Sequence, residues 1–184
     1  MPVTASDVRA LVERLPVPDA VALEHRDRAL AWLASTDDVF RREKPATPAP
    51  HLVAYCVVVD PQSGDLLLAD HRLAGLWLPT GGHVEPGEHP ADTVRREVVE
   101  ELGVPADFLV PDPVLLTWTP TVGPDSHVDV SLWYGLSAAR DTGFAWDARE
   151  FRAVRWWTRD AVRSVPADVA EPHLGRFLDA LAAV

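Results

Sequence analysis

The sequence predicts an α/β sandwich built on a mixed sheet and preceded by a helical N-terminal extension. Three observations predict it. The first fifty residues place apolar side chains at helical spacing. After a proline-rich stretch the pattern changes to short runs of β-branched and aromatic residues. One amphipathic helix then lies among the strands without the regular strand–helix alternation of a doubly wound sheet.

Taken in order, Ser6 and Asp7 are candidate caps for a segment with Val8, Leu11, Val12 and Leu15 on one stripe, stopped by Pro16 and Pro18. A second helix is expected from Asp19 to Ala34, and a short third turn over Asp37 to Arg42. Pro45-Ala46-Thr47-Pro48-Ala49-Pro50 cannot continue a helix and reads as a linker, so a boundary is expected between residues 1–50 and 51–184. His51 to Asp60, the turn-like Pro61-Gln62-Ser63-Gly64 and Asp65 to Asp70 form a hairpin signature. Further strands are expected at Trp77-Leu78, Val114 to Thr119, Val128 to Leu136 and Val154 to Trp157, with a turn at Gly123-Pro124-Asp125. Helices are expected at Pro90 to Leu102 and Pro172 to Ala183, the latter with Leu174, Phe177, Leu178 and Leu181 on one stripe.

Composition narrows the function. A length of 184 residues suits one domain with an appendage, and 47% apolar with 24% charged residues is ordinary for a folded chain. The formal net charge of −11, with no basic run, lacks the footprint of a protein that grips a nucleic-acid polymer. Cys56 is the single cysteine and lies in an apolar run, so it reads as a buried thiol and not as a nucleophile. No stretch approaches the roughly 18 apolar residues of a membrane span, and Met1-Pro2-Val3-Thr4 does not open a secretory leader; a cytoplasmic protein without a membrane partner is the expectation.

The helix from Pro90 carries the chemistry. Ala91, Val94, Val98 and Leu102 form its apolar stripe, and Glu97, Glu100 and Glu101 crowd the adjacent face. Like charges three and four residues apart repel by a few tenths of a kcal/mol per pair, and a carboxylate in the last turn opposes the helix dipole. A hard cation such as Mg²⁺, which takes oxygen ligands, removes both penalties. Upstream, Leu78-Pro79-Thr80-Gly81-Gly82-His83-Val84-Glu85-Pro86-Gly87-Glu88 is a glycine loop where backbone can approach a ligand, and Gly103 stands where a left-handed helix terminus favours glycine. On its own, a solvated acidic face remains the plain alternative.

Gly82, five residues, Glu88, seven residues, Arg96-Glu97-Val98, one residue, Glu100-Glu101, one residue and Gly103-Val104 match the Nudix box at every defined position. Chance coincidence of so many fixed positions is expected in roughly one chain in ten million or fewer. The chain thus resembles the Nudix hydrolases (MutT-like) from about His51 to Asp160, and the resemblance implies a Nudix-type α/β/α sandwich with a mixed sheet. It implies hydrolysis of a nucleoside diphosphate linked to another moiety, with Mg²⁺ (or Mn²⁺) as cofactor and a small nucleotide-like substrate. Glu97, Glu100, Glu101 and the backbone of Gly81 are its implied metal ligands. Glu88 and Arg96 are implied supports, Arg96 orienting the glutamates through a charge-assisted pair.

The implied general base is open among the box glutamates Glu100 and Glu101 and the later acids Glu150, Asp129, Asp125 and Asp147, with Glu150 favoured for its loop position. His71 and Arg72 after the second strand, and His83 and Glu85 in the glycine loop, are candidate substrate contacts, surface decoration and loop rigidity being the alternatives. Trp77, Trp118, Trp133, Trp156 and Trp157 include candidates for base stacking. If Val128 to Leu136 is a strand, His127 and Asp129 share one face. A homodimer is expected by family habit alone. Two other functions compete with the hydrolase: a non-catalytic Nudix-like nucleotide sensor or interaction module, and a metal-binding structural domain.

Overall fold

The computed structural model describes residues 2–43, 47–121 and 126–184. The expected turn at Gly123-Pro124-Asp125 and part of the proline-rich segment lie outside the described residues. In chain order the elements are α1 (Ala5–Glu13), α2 (Ala20–Ser35), β1 (His51–Val59), β2 (Leu66–His71), β3 (Trp77–Leu78), β4 (Thr80–His83), α3 (Pro90–Leu102), β5 (Leu115–Pro120), β6 (Val128–Ser137), β7 (Phe151–Trp157), α4 (Arg159–Ser164) and α5 (Leu174–Leu181). The expected α/β/α sandwich is what the chain forms.

Among the described residues the sheet has seven strands, ordered β3-β2-β1-β6-β5, with β4 also on β1 and β7 on β2. Its mixed character comes from one long parallel pair, β1 with β6, which runs from His51 opposite Asp129 to Val59 opposite Ser137. The other pairings are antiparallel. Strand alternation separates two cores. Leu52, Ala54, Cys56 and Val58 of β1 pack with Val94, Val98 and Leu102 of α3 and with Val8, Val12, Ala29 and Leu33 of α1 and α2. On the opposite face Val57 and Val59 join Leu174, Phe177 and Leu178 of α5 and Val162 of α4. Helices 1 and 2 therefore share a core with the strands, whatever their sequence pattern suggests about a boundary.

Local departures from expectation have physical causes. The cap of α1 is Thr4, whose hydroxyl accepts from the Asp7 amide while Asp7 accepts from the Thr4 amide, a reciprocal capping box in which Asp7 is the third helical residue. No helical turn forms at residues 37–42: Val39 and Phe40 are buried, and the Val39 carbonyl accepts from the Leu52 amide at 2.9 Å, so this segment is tied to the sheet. The glycine loop contains a strand, β4, paired with β1 from Cys56–Thr80 to Val53–His83. Strand β7 starts at Phe151, α5 starts at Leu174 after Pro172, and α4 was not anticipated.

Candidate active site on the glutamate helix

Helix α3 spans Pro90–Leu102 with Pro at its first turn and Gly103 in the left-handed conformation at its end, as the sequence expects. It lies beside β4, and two glycines allow the approach. A Cβ on Gly82 would stand 2.1 Å from Glu97 Oε1, so the Glu97 carboxylate rests directly on the Gly82 backbone. Gly81, at φ +142°, would drive a Cβ to 2.3 Å from the Ala54 carbonyl oxygen. The Gly81 amide donates to Glu101 Oε2 at 2.8 Å, which fixes that carboxylate at the junction of helix and strand.

Around Glu97 a single guanidinium gathers several acceptors. Arg96 donates to both oxygens of Glu88, at 3.1 and 3.0 Å, to Glu97 Oε1 at 2.6 Å and to the His83 carbonyl at 3.3 Å; Glu100 lies 3.7 Å away. Thr93, fully buried, donates to Glu88 Oε2 at 2.7 Å, and the Glu85 amide donates to the same oxygen at 3.2 Å. Burial opposes ionisation of Glu88, but Arg96 and Thr93 outweigh it and hold the carboxyl below its ordinary range. The Glu85 side chain itself is exposed.

Glu97 and Glu101 go the other way. Burial pushes Glu97 up; Arg96 opposes this, and Glu100 and Glu150 add to it. Glu101 is 6% exposed, and burial raises its pKa to about 9. The Gly81 amide opposes that rise, while Glu97 and Glu150 reinforce it, Glu150 also through a hydrogen bond. Such a cluster of carboxylates, with Arg96 already shared by four acceptors, has the donor set and charge deficit of a site for a hard divalent cation.

The structure brings exposed Glu150 to this cluster, since its charge is felt at Glu97, Glu101 and His71. Its loop is braced by Arg72, whose amide donates to the Glu150 carbonyl at 2.8 Å and whose Nε donates to the Ala148 carbonyl at 3.0 Å. His71 accepts from the Ala74 amide at Nδ1, and burial lowers its pKa. Among the other base candidates, Asp147 is held at about 2 by Arg149. Asp129 is on the other face of the sheet with His127, and Asp125 is outside the described residues. Trp133 is buried and donates to Thr117 Oγ1 at 2.9 Å, so it is a core residue. Trp77 is half-buried under the Arg155 guanidinium, 4.3 Å from its ring, beside Trp157.

Two residues were missed by sequence reasoning. Arg41, from the segment read as lying outside the resemblance, is half-buried where Asp129 and Glu97 both pull on its charge, burial lowering its pKa against them. His51 is fully buried beside Asp129. Neither lies in the box: strand pairing sets His51 beside Asp129, and the hydrogen bond from the Leu52 amide to the Val39 carbonyl draws the segment carrying Arg41 to the sheet.

The NUDIX domain family profile matches residues 49–181. The chain belongs to the NUDIX domain family. Its curated relatives include the NAD-capped RNA hydrolase ndx-9 of Caenorhabditis elegans, 27% identical over 69% of this chain and 34% of that protein, so the match spans about a third of the relative's length. They also include the nucleoside triphosphatase NudI of Enterobacter sp. (strain 638), 28% identical over 52% of this chain and 71% of that protein. Among solved NUDIX folds, the MutT protein of Methanosarcina mazei Go1 superimposes with a TM-score of 0.57 at 17% identity, covering 72% of this chain and 92% of that one. At that identity the likeness shows the shared NUDIX fold.

Proposed function

We propose that this NUDIX chain is a Mg²⁺-dependent pyrophosphohydrolase, in which water attacks a phosphorus of a nucleoside diphosphate linked to another moiety and the bond to the departing phosphate group breaks. The observation that carries the reading is the fixed pair of carboxylates: Glu97 seated on Gly82 and Glu101 anchored by the Gly81 amide. Both sit in a cluster whose negative charge one arginine does not balance. Glu97, Glu100 and Glu101, with the Gly81 backbone, would hold the ion, and Mn²⁺ fits the same oxygen donors. Bound there, Mg²⁺ would neutralise phosphate charge and make a coordinated water more acidic.

The chain's own residues supply the rest. Arg96, locked by Glu88, holds Glu97 in place. Glu150, exposed beside the buried pair, accepts the proton of the attacking water. His71, beside Glu150, and the exposed Glu85 lie toward the approach, and Arg72 keeps the Glu150 loop in position, while His83, in register with Val53, is on the sheet face away from α3. Residues 1–50 form a helical extension and 51–184 the hydrolase domain, a division supported by the family match starting at residue 49. The substrates are small and nucleotide-like, drawn from nucleoside triphosphates, ADP-ribose-like compounds and nucleotide sugars, and the setting is cytoplasmic. A net charge of −11 disfavours a polymer grip. No described helix is long and apolar enough to cross a membrane.

The test is phosphate and pyrophosphate release across a panel of those three classes, with and without Mg²⁺, alongside Glu101→Gln. Metal-dependent turnover of one class, reduced by several orders of magnitude in the variant with folding intact, is expected. Undiminished activity in Glu101→Gln would remove the site assignment.

A further inference from the structure

On the sheet face opposite α3, three adjacent strands bring together His51, His83, His127 and Asp129, and one ligand atom from each lies within 4.8 Å of the others. The register explains the convergence. His51 begins β1 directly opposite Asp129 of β6, and His83 ends β4 opposite Val53, two residues along β1 and therefore on the same face. His127 precedes Asp129 by two residues, and its Nε2 is 3.1 Å from Asp129 Oδ1. No residue of this set is a glutamate of the box.

The hydrogen bonding of His51 points to what belongs between these side chains. Its Nδ1 is 2.7 Å from the Pro48 carbonyl, and because a carbonyl only accepts, Nδ1 carries a proton. In the neutral ring Nε2 is then a lone pair, and it faces Asp129 Oδ1 at 3.4 Å, an acceptor facing an acceptor. His51 is fully buried, and neither its Nε2 nor Asp129 Oδ1 makes an acceptable hydrogen bond among the described residues. A cation between them removes the conflict. An imidazole held by a carbonyl at one nitrogen and presenting the other is also the usual arrangement of a metal-ligating histidine.

We propose that His51, His83, His127 and Asp129 form a second metal site, for a Zn²⁺-class divalent transition ion. Three imidazoles and one carboxylate suit such an ion and not Mg²⁺, which prefers oxygen donors. Tetrahedral coordination with bonds of about 2.0–2.1 Å separates ligand atoms by about 3.3–3.4 Å. The separations from Asp129 Oδ1, 3.1 and 3.4 Å, already match, and the widest must contract from at most 4.8 Å. The ion pins β4 to β1 and β6 immediately after Gly82, the residue that seats Glu97, so it stiffens the floor of the glutamate site without joining it.

The full chain, stripped of metal with a chelator, is titrated with Co²⁺ and Zn²⁺. One Co²⁺ per chain with the visible absorption of a four-coordinate nitrogen–oxygen site, displaced by Zn²⁺, is expected. It should persist in the Glu97→Gln/Glu101→Gln double variant. It should weaken by about a hundredfold or more in His127→Ala and in Asp129→Asn, the second being nearly isosteric and so preserving the fold. Zn²⁺ should raise the melting temperature of the parent chain and not of those two variants. Absence of binding would overturn the proposal. Binding unchanged in Asp129→Asn, or lost in the glutamate variant, would overturn it equally.

Discussion

Glu101 combines properties that pull in opposite directions: it is buried, it sits near two other carboxylates, and one of its oxygens accepts a backbone amide. With its pKa raised to about 9, the side chain carries a proton at neutral pH when no metal is present. The sign of the linkage follows. The folded pKa lies above the unfolded one, so this group favours the metal-free fold at low pH, and that contribution is lost as pH rises from about 4.5 through 9. Cation binding requires the carboxylate and must expel the proton, so Mg²⁺ affinity should rise with pH up to about 9, with close to one proton released per ion at pH 7.5. Calorimetry in two buffers of different ionisation heat measures that release. It should vanish in Glu101→Gln, and its absence from the parent chain would mean that Glu101 is not a ligand. The three glutamates were legible in the sequence because helical periodicity alone places them together. The inversion between Glu88, held low by Arg96, and Glu101, driven up by burial, was not, because it depends on contacts with β4 and the Glu150 loop.

The pair formed by α3 and β4 makes a sharper division between fold and function. Helix α3 was readable to the residue because Pro90 and Gly103 mark its ends by backbone geometry that needs no tertiary context. Strand β4 reads as a loop because Thr80-Gly81-Gly82-His83 has no apolar alternation and Thr80 as its one β-branched residue, and only its pairing with β1, more than twenty residues away, makes it a strand. Its two glycines have separable duties. In Gly82→Ala the new Cβ meets the end of the Glu97 side chain, which is displaced from its seat beside Arg96 at less cost to folding than a backbone shift. Mg²⁺ affinity should then fall about 10–100-fold with the melting temperature nearly unchanged. In Gly81→Ala the Cβ meets the backbone of Ala54 and Tyr55 at positive φ, and a loss of about 1–3 kcal/mol in stability is expected. Urea unfolding and metal titration on the two variants should give opposite patterns. Equal effects on both quantities in both variants would show that β4 is not the rigid support described.

At the scale of the molecule, the family match beginning at residue 49 and the packing of residues 2–43 lead to different expectations about what folds alone. Sequence pattern separates the first fifty residues because the helical period stops at the prolines, and periodicity carries no information on which surface the helices cover. In the folded chain Val8, Leu11, Val12, Leu15 and Leu33 are buried in one core with Leu52, Leu116 and Val130 of the sheet. The Val39 carbonyl is hydrogen-bonded to β1, and Arg41 is half-buried where Glu97 and Asp129 both act on its charge. Each large apolar side chain contributes about 1.5–3 kcal/mol on burial, so the set rivals the 5–15 kcal/mol net stability of a typical domain. A chain starting at residue 49 should therefore be insoluble or lack cooperative unfolding. The full chain should unfold in urea in a single transition, coincident by tryptophan fluorescence and far-ultraviolet circular dichroism. Two separated transitions, or a soluble and cooperatively folded truncation, would mean that the helices are an independent appendage. A single transition would make them a structural part of the sheet, through which Arg41 is held where Glu97 and Asp129 both act on its charge.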